Sequence, residues 1–103
     1  MTVRKINASQ AVAESLMQEM ARDESVVLLG EDVGRSGGVF GSSRDLLERF
    51  GPMRVRDTPI SEMSFTGMGV GMAMAGLRPV VEIMFVDFMG VCLEQIYNAM
   101  AKI

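Results

Sequence analysis

Apolar and polar positions change period several times along the chain, and each change marks an element. Ala8, Val12, Leu16 and Met20 recur every fourth residue, with Glu14, Gln18, Glu19 and Arg22 on the other faces. This spacing predicts an amphipathic helix over Ala8–Arg22, opened by Asn7 as N-cap with Gln10 as its reciprocal partner. Residues 26–29 form an unbroken run of Val and Leu bounded by Asp23-Glu24-Ser25 and Gly30, the pattern of a strand buried on both faces. Over 43–50, Leu46, Leu47 and Phe50 fall at helical spacing, and Gly51-Pro52 ends the run. Arg54-Val55-Arg56 reads as a short edge strand. Asp57-Thr58-Pro59 then turns the chain into a helix over 60–76, with the proline suited to its first turn. Residues 80–85 read as a second buried strand, interrupted by Glu82. In 88–103, Val91, Leu93, Ile96, Tyr97 and Met100 alternate with Glu94, Gln95 and Asn98 as in a last helix.

Strands alternating with helices predict an α/β fold, a parallel sheet of two or three strands flanked by helices. The helix over 60–76 carries Gly67, Gly69, Gly71 and Gly76. Each interior glycine costs ~1 kcal/mol against alanine, so close packing must offset it. Gly67, Gly71 and Ala75 fall at i, i+4 and i+8, a smooth strip suited to the approach of another helix, including one from a second subunit.

Composition narrows the function classes. The chain has 103 residues, enough for one small domain, and 49% hydrophobic against 22% charged residues makes it globular. A net charge of −3 without a basic block excludes a nucleic-acid surface, and the lack of His removes imidazole chemistry. The lone Cys92 cannot form an internal disulfide. It sits in an apolar run, so it reads as a small buried hydrophobe in a reducing, cytoplasmic setting. The first ten residues lack the shape of a signal peptide. The uncharged stretch 63–77 is shorter than the roughly 18 residues a membrane span needs, and it carries Ser64 and Thr66. Eleven Met read as adaptable core filling.

Candidate chemistry is sparse. The glycines of loop 30–43 match neither GxxxxGK[ST] nor a GxGxxG between strand and helix, so the loop reads as a mobile surface segment. Glu31 and Asp32 follow the first strand directly. Ligands of open α/β sheets bind outside the carboxyl ends of strands, which makes Glu31 either a site candidate or a solvated loop acid. Glu62 opens the central helix and has two readings. It complements the helix dipole, or it is a proton donor held among Ile60, Met63, Phe65 and Met68, without a charged partner and with a raised pKa. Glu82 poses the same question, with Arg78 or a backbone group as its partner.

The segments GEDVG and DTPISEMSFTGMGVGMAMAGLRPVVEIMFVDFMGVCLEQIYNAMAK carry a resemblance to a known family. Their most specific parts are DTPISE at 57–62 and the pattern E-x4-G-hydrophobic-x-x-G, met by Glu62, Gly67, Met68 and Gly71. They resemble the beta subunit of the thiamine diphosphate-dependent first component of pyruvate, branched-chain 2-oxoacid and acetoin dehydrogenases. The run EIMFVDFMGVC looks most like the acetoin branch. The resemblance implies an incomplete transketolase-like pyrimidine-binding domain over 1–103, the N-terminal part of a longer subunit. It implies that Glu62 is catalytic and bonds the aminopyrimidine ring nitrogen of thiamine diphosphate. That bond favours the imino tautomer, whose nitrogen takes the proton from the thiazolium carbon. By the same matching, Ile60, Met84 and Phe88 line the aminopyrimidine pocket beside Glu62. Where several relatives carry Gln or Glu, this chain has Val91.

The implied partners are an alpha subunit in an alpha2beta2 heterotetramer and a lipoyl-bearing acyltransferase component. The implied substrate is a 2-oxoacid or acetoin. The family's GDG motif for diphosphate and magnesium is absent here, so the metal would be held by the alpha subunit. These 103 residues are therefore expected to be inactive alone. Two other readings stand beside this one. A dinucleotide-binding domain is suggested only by glycines. A non-catalytic module would dimerise through the Gly67/Gly71/Ala75 face.

Overall fold

The computed structural model describes residues 2–103. The first helix, α1, spans Ala8–Arg22 with the predicted capping box: the Gln10 amide donates to the Asn7 side chain at 2.9 Å, and the Asn7 amide donates back to the Gln10 side chain at 2.9 Å. Only the C-terminal half of α1 reaches the core. Its inward stripe is Leu16, Met17 and Met20, while Val12 stays 46% exposed.

Strand β1, Val26–Gly30, is buried at every position, as an unbroken apolar run requires when both sheet faces are covered. Helix α2 is Leu46–Phe50, three residues shorter at its start than the pattern predicts, because Asp45 adopts a left-handed conformation (φ 66°). Strand β2 is Val55–Asp57, helix α3 Glu62–Met74 and strand β3 Arg78–Glu82. The chain ends in tight 3₁₀ turns over Val86–Cys92 and wide π turns over Glu94–Met100, where the sequence pattern predicts one regular helix.

All three strands are parallel, in the order β2-β1-β3. Met20, Val26, Leu28, Val33, Leu46 and Val55 form a core cluster, with Leu16, Met17, Leu47 and Phe50 packed around it. Helix α3 packs on β1, β3 and both terminal helical segments, and it buries Phe65, Thr66, Gly69 and Val70. Gly69 is what allows the contact with β3. A Cβ there would stand 2.6 Å from Val81 Cγ2, closer than real Cβ atoms come. The strip expected at Gly67, Gly71 and Ala75 is divided. A Cβ on Gly67 would stand 2.9 Å from the Gln95 side chain of the same chain, whereas Gly71 has nothing within 4 Å.

The guanidinium of Arg54 joins α1 to the sheet. Its Nη2 donates to the carbonyls of Met20 at 2.7 Å, Asp23 at 2.9 Å and Val26 at 3.0 Å, and its face lies 4.9 Å from the Phe50 ring centre. It satisfies carbonyls that the end of α1 leaves without helical partners.

Candidate functional site

The carboxyl ends of the three strands are level: Gly30 pairs with Asp57 on one side and Glu82 on the other. The chain leaves β1 for one edge of the sheet and later returns to the opposite edge. The end of β1 is therefore a topological switch point, the place where open α/β sheets bind ligands. Glu31 is the first residue past that point and is only 7% exposed. The Thr58 amide donates to the Gly30 carbonyl at 3.0 Å, which holds the β2–α3 turn against β1. Helix α3 then opens with Glu62, half-buried on the same side.

Glu31 and Glu62 meet here. Burial, then hydrogen bonding to the Glu62 carboxyl, then the charges of Glu62 and Asp32 push the Glu31 carboxyl above its ordinary value. Two acids in contact ionise together only at a cost, so the Glu31 carboxyl holds its proton more tightly than a free one. This corrects one expectation from the sequence. Glu62 does have an ionisable partner, the acid Glu31, whose own carboxyl is pushed upward.

The loop after β1 also departs from its sequence reading. It is a pinned structure. Val33 is buried in the core, Ser43 Oγ donates to the Val33 carbonyl at 2.7 Å, and the Gly38 amide donates to the Asp32 carbonyl at 2.8 Å. The Asp57 carboxylate accepts the amides of Gly34 at 2.7 Å and Arg35 at 3.1 Å. Glu82 is satisfied from the same loop, where Ser42 Oγ donates to it at 2.6 Å. Arg78, the partner weighed from the sequence, faces Asp23 at 3.6 Å.

The remaining site candidates lie toward solvent. Ile60 is 85% exposed on the turn before α3, Met84 is half-buried just after β3, and Phe88 is 36% exposed. Phe88 stands edge-on to Phe85 at 5.5 Å, and Phe85 edge-on to Phe40 at 5.5 Å, a short aromatic ladder between the terminal segment and the loop. Val91 is exposed. Sequence reasoning missed two threonines. The side-chain oxygens of Thr58 and Thr66 are buried without hydrogen-bond partners, as is one carboxyl oxygen of Glu31. For Thr66 a signal existed, since it lies four residues after Glu62 and so on the same helix face.

The family model for the transketolase pyrimidine-binding domain matches residues 4–103. The chain belongs to this family. Among curated proteins, this family member is 45% identical to the beta subunit of acetoin:2,6-dichlorophenolindophenol oxidoreductase of Cupriavidus necator, over 96% of this chain and 32% of that protein. It is 47% identical to the 2-oxoisovalerate dehydrogenase subunit beta of Bacillus subtilis, over 90% of this chain and 28% of that protein. It is 48% identical to the mitochondrial pyruvate dehydrogenase E1 component subunit beta-1 of Oryza sativa, over 96% of this chain and 26% of that protein. The chain thus spans about a third of the length of the first relative, and less of the other two. The three relatives carry the names of all three branches that the DTPISE segment resembles, and the parallel α/β sheet is the fold expected of the family.

Proposed function

We propose that this chain supplies the aminopyrimidine-binding side of a thiamine diphosphate site in the beta subunit of a 2-oxoacid or acetoin dehydrogenase, an oxidoreductase. The observation that carries the proposal is the Glu31–Glu62 pair at the carboxyl end of the central strand. The residues present fit the aminopyrimidine ring. An acid at the mouth of the switch point can hydrogen-bond a ring nitrogen, and Ile60, Met84 and Phe88 offer apolar surface for the ring itself. When bound, the cofactor would supply a nucleophilic carbon and an electron sink for cleavage beside the substrate carbonyl.

Glu62 would be the catalytic acid that holds a proton toward the ring nitrogen. Glu31, buried beside it with its carboxyl pushed upward, would limit the charge that builds up when Glu62 exchanges its proton. Phe88 and Ile60 would exclude water from one side of the ring. An alpha subunit would complete the site with the diphosphate and magnesium contacts, in an alpha2beta2 heterotetramer. A lipoyl-bearing acyltransferase component would accept the product. Residues 1–103 would then be the N-terminal part of the pyrimidine-binding domain and inactive without the rest. The exposed side chains of Met63, Met68 and Met74 on α3, and of Val86, Leu93 and Tyr97 after it, support a protein partner over this face.

The test uses the full-length subunit co-expressed with its alpha partner. Thiamine diphosphate-dependent reduction of an artificial electron acceptor is followed with pyruvate, branched-chain 2-oxoacids and acetoin. One substrate is expected to be turned over. Glu62→Gln is expected to lower kcat by about 10²–10⁴-fold, the range of acid–base catalysis, while the complex still assembles. Full activity in Glu62→Gln would remove the assignment.

A further inference from the structure

Three buried side-chain oxygens have no hydrogen-bond partner within the chain: Glu31 Oε1, Thr58 Oγ1 and Thr66 Oγ1. Glu31 is 7% exposed and Thr66 3% exposed. They arrive from three elements. Glu31 follows β1, Thr58 is tied by its amide to the Gly30 carbonyl at 3.0 Å, and Thr66 lies one helical turn beyond Glu62 on the face of α3 that packs on the sheet. A helical threonine commonly satisfies its hydroxyl on the carbonyl four residues back, yet Thr66 makes no such bond. A buried polar group without a hydrogen bond is costly, so each of the three calls for a partner.

We propose that Thr66 is a positioning residue for the Glu31–Glu62 pair: with Thr58 it holds one internal water against Glu31 Oε1, and the hydrogen bond this water donates fixes the orientation of the Glu31 carboxyl toward Glu62. The chemistry suits a water, which can donate to a carboxyl oxygen and still accept from two hydroxyls. The other acids at this end of the sheet are either committed elsewhere or known contributors. Glu82 is held by Ser42 and Asp57 by two loop amides, which leaves Glu62 from α3 and Asp32 from the loop as the charges acting on Glu31. The role of Thr66 rests on the functional reading only as far as Glu62 is the working acid.

The test is made on the full-length subunit in its assembled complex, with infrared difference spectroscopy. The protonated carboxyl band that disappears in Glu31→Gln identifies Glu31, and its disappearance on raising pH gives the titration midpoint. Thr66→Val keeps the shape and removes the hydroxyl. Loss of a hydrogen bond that favours the ionised form is expected to move the midpoint upward by about one pH unit and to shift the band toward a weaker hydrogen bond. Thr66→Ser is expected to restore both. A Thr66→Val band and midpoint equal to wild type would overturn the proposal, as would a Thr66→Ser variant that behaves like Val. The infrared readout needs no turnover, so it separates this proposal from the enzymatic one. A complex inactive on every 2-oxoacid and acetoin, yet showing the Thr66-dependent band, would overturn only the latter.

Discussion

Glu31 shows how a single side chain links burial to pH. Its carboxyl lies above the ordinary value of 4.5 because it is buried against another acid. A folded-state pKa raised above the unfolded one means that its contribution to stability is fully present below about 4.5 and declines as pH climbs toward the folded pKa. Glu31→Gln cannot ionise and escapes this decline. Thermal melts of the two proteins are expected to coincide at about pH 4 and to separate as pH rises, with the variant melting higher. A variant that melts lower at the higher pH would show that the buried charge is compensated in the native state. At this scale the sequence was only partly legible. Glu62 stood out because it opens an uncharged helix after DTPIS. Its meeting with Glu31 did not, because 31 positions of chain separate the two and only the sheet brings them together. The bond from Ser42 to Glu82 spans 40 positions and was equally hidden from local pattern.

Among elements, α3 sets how closely the helix layer approaches the sheet. Two of its glycines make opposite predictions. At Gly69 an added methyl meets the stiff, β-branched Val81 at 2.6 Å. Gly69→Ala is expected to lose about 1–3 kcal/mol from overpacking, which exceeds the ~1 kcal/mol gained in helix propensity. At Gly71, with nothing within 4 Å, Gly71→Ala is expected to gain about 1 kcal/mol. Denaturant midpoints of both variants beside wild type check the pair, and equal effects at the two sites would contradict the packing described. The positions of α1, β1 and α3 were well read from periodicity, because they bury clear stripes or runs, whereas β3 falls at Arg78–Glu82 and not at 80–85, and is partly exposed and not buried. The terminal segment was misread in detail. Its apolar spacing fits a regular helix, but the backbone turns are of 3₁₀ and then π type, and Val91, Leu93, Tyr97 and Met100 stay exposed while Cys92 is buried. The loop after β1 was misread because glycine and serine were taken as signs of mobility. Here Gly34 instead brings the backbone close enough for Asp57 to accept two amides.

The whole molecule carries more surface than its mass accounts for. Its accessible area is 6845 Å², against about 5,700 Å² for a folded monomer of 11.2 kDa. Its radius of gyration is 14.0 Å, against about 13 Å for a domain this size. Much of the excess is apolar and lies on α3, β3 and the terminal segment, so the unit has a finished side at α1 and an open side at α3. Cys92 ends the 3₁₀ segment that packs on α3. It is fully buried, its thiol hydrogen-bonds to the Met89 carbonyl at 3.3 Å, and it is the one cysteine of the sequence. The protein therefore carries a built-in chemical clock. A maleimide reagent should modify one thiol per chain, at a rate set by how often the 3₁₀ turns open, and docking of a partner on the open side should slow that rate measurably.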